Sequence, residues 1–388
     1  MIRNFIYYII LLNILIISCN KKDDKNSKTN IRLKRLNVNI DDIPKTTLNE
    51  LCPTIDLIPL ETKKNVLLTN ALYLEVDFYQ DKIYIFDREQ RDCLFIYNRD
   101  GKFIKKFSKQ GRGPGEYMGI SDFEINPFNN NLEILQADGQ YYTYDSSGNF
   151  LRKVSILNDS IRATHKFANV SEDIVVFYTM AMNNRLIFYS KKESKIIRHI
   201  FKVPESTIKN TNLRMIHKPF TRWKGMLFFH EIFLNDIYKV TEDTVQRYLN
   251  WDFGNYNFWI NKIPKDNTYQ ENLKFLYEQN RWVVSKMFPL ESTNYYFVNA
   301  FINRNETYSV AYNKMNGSIS LIPGSMSLQS HYLFFRYILP QGNGAVSLID
   351  AYQIKEAMKS VTLTSENQTI LNNINESQNP VIVEYIFK

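Results

Sequence analysis

The chain has 388 residues, with 48 Lys and Arg against 40 Asp and Glu, for a formal net charge of +8. Its 44% hydrophobic and 23% charged residues exclude wholesale disorder. The excess positive charge is scattered, without a basic cluster interleaved with aromatics, which argues against nucleic acid as a partner. The chain holds 42 Ile, 25 Tyr and 26 Phe but only 10 Ala, so composition favours strands over helices.

The first element is a short apolar run. Phe5 to Ile17 is apolar or aromatic except for Asn13, and it follows a positive Arg3. A membrane-spanning helix needs about 20 apolar residues, so this run has the size of a signal-peptide core instead. It ends in Ile16-Ile17-Ser18-Cys19. That ending resembles the lipobox of bacterial lipoproteins, which implies lipid on Cys19 and membrane attachment through it. The alternative is a buried hairpin with an incidental Cys. Asn20 to Lys28 contains no apolar residue and cannot bury enough surface to fold, so it reads as a tether. Lys21-Lys22-Asp23-Asp24 resembles the short Lys-plus-acid signal that sends Bacteroidetes lipoproteins to the cell surface; an ordinary polar linker reads equally well. The expected division is a signal peptide over 1–18, a polar tether over 19–50 and a propeller over 51–388. Cys52 and Cys93 are the other two cysteines. An extracytoplasmic location permits a disulfide between them, and two buried thiols are the plainer outcome.

From residue 81 onwards the chain repeats itself. Asp81–Phe86, Leu94–Tyr97 and Lys102–Phe107 read as three strands, with an Asp100-Gly101 hairpin before the third. The same order returns as Asn131–Leu135, Tyr141–Tyr144 and Asn149–Val154, with Gly148 in the place of Gly101. Weaker copies start at Asp173, Gly225 and Tyr295, and a degenerate sixth starts near Tyr332–Phe335. A period of about 40–50 residues with three or four strands per unit predicts a β-propeller. A β-sandwich would not repeat its turn chemistry at fixed spacing. The fold expected is therefore all-β, a six-bladed β-propeller, with Ile55–Leu60 and Val381–Ile386 both completing the closing blade. Two helical insertions are expected. One follows the Thr268–Glu271 capping box; the other is capped by Asp350, with Ile354, Ala357, Met358 and Val361 on one face.

Several segments then carry a resemblance. They are Ile58–Thr62, Tyr84–Asp87, Gly101–Phe103, Gly111-Arg112-Gly113-Pro114-Gly115-Glu116-Tyr117, Asp122-Phe123, Asn235–Tyr238, Trp251–Gly254 and Asn379–Val383. Together they resemble the six-bladed β-propeller lipoproteins abundant in Bacteroidetes, of TolB-like or NHL-like architecture. The 111–117 segment is the most specific of them. The resemblance implies an outer-membrane lipoprotein on the cell surface or the periplasmic face, and no established activity.

The search for chemistry returns little. No two of the five His stand at i, i+4, and no Cys pair has zinc spacing, so no metal and no cofactor is expected. No G-x-S-x-G elbow occurs. Asp122 and Glu124 share a strand face, but so do residues i and i+2 of any strand. The loop 111–115 lacks the Lys-Ser/Thr of a P-loop and precedes a strand. Its crossing from the outer strand of one unit to the inner strand of the next is expected to bring Arg112 and Glu116 near the axial opening, as a structural pair or a ligand contact; Tyr117 is a further candidate for a ligand-binding or structural role. The four Trp are read as core packing before sugar stacking. The leading expectation is a non-enzymatic, membrane-anchored module that binds an unknown protein or glycan. The alternative is a periplasmic or surface hydrolase or lyase acting on a glycan through residues at the channel.

Overall fold

The computed structural model describes residues 33–388 apart from 44, 157–163, 180–183, 204–217, 232, 265, 278–281, 284, 303–306, 327–330 and 333–334. Cys19 and the Lys21–Asp24 segment lie outside the described residues.

Six antiparallel sheets form the blades of a β-propeller. Blade 1 is Leu74–Tyr79, Lys82–Asp87, Leu94–Asn98 and Phe103–Phe107. Blade 2 is Asp122–Ile125, Leu132–Leu135, Gln140–Tyr144 and Phe150–Ser155. Blade 3 runs from Lys166–Asn169 to Lys195–Lys202, blade 4 from Phe220–Trp223 to Val245–Asp252, and blade 5 from Ser285–Glu291 to Ile319–Pro323. In each the first strand is innermost, and the innermost strands of blades 1 and 2, 2 and 3, and 4 and 5 touch.

Burial explains the sequence pattern. The second strand of blade 3, Ile174–Tyr178, is buried at all five positions, because neighbouring blades cover both of its faces. Such a strand reads as a continuous apolar run, not an alternating one. The outer strand Phe150–Ser155 has one face open and alternates. Those runs made the second and third strands legible, while the short inner strands escaped notice in most units.

The ring closes in blade 6. Tyr337–Ile338, Gly344–Ile349 and Val381–Ile386 come from the C-terminal region, and Thr54–Pro59 supplies the outermost strand. Both segments expected in the closing blade are thus there, and they pair with each other, in register from Thr54 against Ile386 to Pro59 against Val381. The blade starts at Tyr337 instead of Tyr332–Phe335. His331–Tyr332 pairs with Ser325–Met326 in a separate small sheet. Gly101 explains part of the fit between blades 6 and 1. It sits at φ +76°, and a Cβ there would lie 2.4 Å from the Pro59 carbonyl oxygen. Only glycine lets the blade 1 hairpin approach the closing strand so closely.

The tether is shorter than expected. Lys34–Asn37 adds a fifth, parallel strand to the outer edge of blade 4, from Lys34 against Leu249 to Asn37 against Asp252. Lys45 then bridges Leu321 of blade 5, and Thr54–Pro59 completes blade 6. Residues 34–59 therefore strap the outer edges of three consecutive blades. Leu36 and Val38 are buried under blade 4, which no polar spacer would achieve.

The helix Tyr269–Tyr277 forms behind its capping box: Glu271 accepts from the Thr268 N–H at 2.7 Å, and Thr268 Oγ1 accepts from the Glu271 N–H at 3.3 Å. Asp350 does not supply the side-chain cap expected of it. Gln353 holds the N-cap of the short helix Ile354–Ala357, and Asp350 Oδ1 accepts from the Ala71 N–H of the neighbouring segment at 2.8 Å. A further helix, Ser365–Asn373, begins at Thr364, whose hydroxyl accepts from the Asn367 N–H. Asn367 in turn accepts from the Leu57 N–H at 2.8 Å and donates to Asp56. The helix thereby covers the edge of the closing strand, which would otherwise offer unpaired backbone groups.

Cys52 and Cys93 are free and buried, so no disulfide joins them. Burial pushes the Cys93 thiol up to about 12 and the Cys52 thiol higher still, which leaves both protonated and inert.

Candidate functional site

The innermost strands enclose an axial cavity of about 240 Å³. Strand alternation builds its charged lining. Glu75 and Asp77 on blade 1 and Asp122 and Glu124 on blade 2 face it, as do Lys166 on blade 3 and Arg222 on blade 4. Phe78, Phe123, Phe220 and Leu290 supply apolar wall.

Most of these charges hold one another. Lys166, 6% exposed, donates to both oxygens of Glu75 at 2.5 and 2.6 Å and to Asp122 Oδ1 at 2.9 Å. The other Asp122 oxygen accepts from the Phe167 N–H at 2.9 Å. Arg88 lies 3.5 Å from Glu75. Glu124 accepts from Arg222 at 2.8 and 3.0 Å, and from the backbone and side-chain amides of Asn169 at 2.8 Å. Burial opposes ionisation of Glu75, but Lys166 and Arg88 outweigh it and hold its carboxyl below the usual glutamate range. Burial pushes Asp122 up to about 6, with Lys166 opposing and Glu75 adding to the rise. Burial also works against the Lys166 charge, yet Asp122 and Glu75 keep its ammonium above the ordinary lysine value. One cation thus serves two carboxylates, and the second carries the proton more readily.

Arg112, Glu116 and Tyr117 are elsewhere. Their segment packs between the outer parts of blades 1 and 2, away from the cavity lining, so the expected axial position is corrected. The 111–117 segment folds on itself. Glu116 Oε2 accepts from the Gly113 N–H at 2.7 Å, and the Gly111 N–H donates to the Tyr117 carbonyl at 3.0 Å. Tyr117 is fully buried and donates to the Asp92 carbonyl at 3.1 Å. Arg112 is exposed and makes no ion pair among the described residues. The crossing chain therefore turns at the rim, where Tyr144 Oη donates to the Gly115 carbonyl at 2.9 Å.

The constrained glycine of this loop is Gly115. It sits at φ +74°, and a Cβ there would lie 2.4 Å from the Phe150 ring. Gly113 has no such φ, and its added Cβ would meet only the flexible end of Glu116. In urea denaturation Gly115→Ala should cost about 1–2 kcal/mol, and Arg112→Ala should stay within about 0.5 kcal/mol of wild type. Equal stability of the Gly115 and Gly113 alanine variants would contradict this.

Among the Trp, Trp251 and Trp223 are buried as expected, whereas Trp259 is 57% exposed. The charged lining was missed, although a signal existed. Glu75 and Asp122 stand in the same place in successive units, separated by the spacing that separates Gly101 from Gly148. Aligning the repeats on their glycine turns puts the acid pairs Glu75/Asp77 and Asp122/Glu124 in register, which a single strand read alone does not reveal.

Residues 33–385 match the family described as Domain of unknown function (DUF4934). The chain belongs to the DUF4934 family. No curated protein matches it. Among solved structures, a Bacteroides fragilis protein whose assigned name predicts export superposes with a TM-score of 0.71 at 15% identity, over 92% of this chain and 100% of that one. At that identity the likeness establishes the shared fold. The Pan2 WD40 domain of Neurospora crassa gives a TM-score of 0.42 at 9% identity, over 82% of this chain and 90% of that one, too loose a match to argue from. The charged axial cavity is thus a feature of this DUF4934 propeller described from its own residues.

Proposed function

We propose that this DUF4934 propeller is an exported, lipid-anchored binding module that holds a small ligand in its axial cavity. The observation that carries the reading is the cavity itself, a pocket at the meeting point of the blades whose largely apolar, aromatic wall carries a few charged groups. Its volume of about 240 Å³ suits a small molecule. Its Glu75, Asp122 and Glu124 are engaged by cations and backbone N–H groups, so they serve as wall in this reading and not as free acid and base. Export and anchoring are supported by the Ile16–Cys19 pattern and by the name of the Bacteroides fragilis relative.

Two measurements test this. A fatty-acid probe fed to cells should label wild type and not Cys19→Ser; equal labelling sinks the anchor. A small-molecule screen by saturation-transfer NMR should give binders that are lost in Thr221→Tyr, which crowds the cavity wall. Binders indifferent to that change would place the site elsewhere. Turnover of a glycan by the wild type, lost in the same variant, would instead support the hydrolase or lyase reading.

A further inference from the structure

Four carboxylates and four cations line the axial cavity, so a ligand meets no net charge to neutralise. The charges are nevertheless unevenly engaged. Lys166 and Arg222 hold Glu75, Asp122 and Glu124. Arg336 is 2% exposed and donates to the Ala71 and Leu74 carbonyls, at 2.7 and 3.0 Å. Lys218 and Asp77 remain, and neither makes an ion pair among the described residues. The two sit on different sides. Lys218 shares the Tyr337 ring of blade 6 with Arg336, their charges 4.7 and 5.5 Å from its centroid. Asp77, on blade 1, leans the other way, towards blade 2, where it accepts from the Ile125 N–H at a long 3.5 Å. Burial holds the Asp77 carboxyl above the usual aspartate range; Lys218 works against that rise and Glu124, beside Ile125, adds to it. Lys218 also lies in the field of Glu75. The lining is thus neutral as a whole but polarised, positive beside Tyr337 and negative beside Ile125.

A polarised neutral cavity selects a ligand by its dipole, because a singly charged ligand is attracted at one end and repelled at the other. We infer that the cavity takes a small zwitterion, an ammonium and a carboxylate on an apolar or aromatic body as in an amino acid, with the ammonium at Asp77 and the carboxylate at Lys218. The inference rests on the reading of the cavity as the binding site. Such a ligand gives each of the two unpaired lining charges a counter-charge and leaves the sum unchanged, which removes part of the cost of burying them. The Glu75, Asp122 and Glu124 network stays as it is, and Arg336 acts only through its fixed charge. The body lies against Phe78, Phe220, Leu290 and Ile338, which line the same space.

The test is calorimetric titration of the full chain with L-phenylalanine and three analogues of similar shape. Hydrocinnamate lacks the ammonium, phenethylamine lacks the carboxylate, and hydrocinnamamide lacks both charges. Phenylalanine should bind at least about tenfold tighter than each of the three. Asp77→Asn should weaken phenylalanine by about tenfold and hydrocinnamate by less than about threefold. Lys218→Met, which keeps the apolar stem over Tyr337, should weaken phenylalanine as much and phenethylamine by less than about threefold. Glycylphenylalanine separates the two sources of such a zwitterion: tighter binding than phenylalanine selects a short peptide, and weaker binding a free amino acid. If an analogue lacking one or both charges binds as well as phenylalanine, and Thr221→Tyr removes that binding, the need for two charges is overturned while the cavity stands as the site. If none of the probes binds, the zwitterion is overturned, and the small-molecule screen against Thr221→Tyr still decides the cavity. Should either charge variant fail to fold, the ranking of the four probes on wild type decides.

Discussion

Deleting residues 379–388 should abolish cooperative unfolding. The segment contains Val381–Ile386, the third strand of blade 6, which pairs with Gly344–Ile349 on one side and Thr54–Pro59 on the other. Val381, Ile382, Val383 and Tyr385 are completely buried. At about 1.5–3 kcal/mol for each large apolar side chain, their loss alone is comparable with the roughly 5–15 kcal/mol that holds a typical domain together. The deletion also removes Asn379. Its side-chain amide donates to the carbonyls of Glu61 and Val66, and its Oδ1 accepts from the Leu68 N–H. With that strand gone, Thr54–Pro59 has no sheet to join and the ring stays open at both ends. Calorimetry on the deleted chain should show no sharp transition. A melting curve like that of wild type would refute closure through this strand.

Lys166→Met should be the most destabilising single substitution at the axis, by about 3–5 kcal/mol at pH 7. It removes the one ammonium shared by Glu75 and Asp122 and leaves two buried carboxylates facing each other. The loss should shrink near pH 4, where those carboxylates take up protons. Urea midpoints at the two pH values measure both effects, and a pH-independent loss would show that the ammonium matters only through packing.

The same cluster predicts a second dependence on pH. The Asp122 carboxyl rises from its ordinary value of 3.8 to about 6 on folding. Between those values the folded chain holds more proton than the unfolded one, so this group's stabilisation is full below 3.8 and is lost as pH rises through about 6. Glu75, held below its ordinary value of 4.5, works in the opposite sense: its contribution is present above that value and lost as pH falls. Comparing Asp122→Asn with wild type isolates the first term. The variant's stability relative to wild type should rise by roughly 2–3 kcal/mol between pH 4 and pH 7. A difference that stays flat across that range would mean that Asp122 titrates normally.

The sequence by itself determined the blades. Middle strands such as Leu94–Asn98 and Ile174–Tyr178 are buried on both faces, so they appear as short apolar runs at any reading frame. The Gly101 and Gly148 turns recur because each hairpin needs a left-handed residue, and that need is local. Ring closure was also legible, since Ile55–Leu60 and Val381–Ile386 were strand-like segments without a local partner.

The tertiary structure alone decided the rest, because each remaining feature depends on contacts between residues distant in the chain. Lys34–Asn37 opens an alternating stretch, with Leu36, Val38 and Ile40 apolar, but that pattern names no partner, and it joins a sheet because blade 4 offers it an edge. Arg112 and Glu116 sit at the rim because the loop turns on Gly115 against Phe150, a contact with the next blade. The axial charge cluster joins Glu75, Asp122 and Lys166 from three blades. Within any one strand each of these is an ordinary alternating residue, and only the closed ring brings them to a common axis and removes them from water.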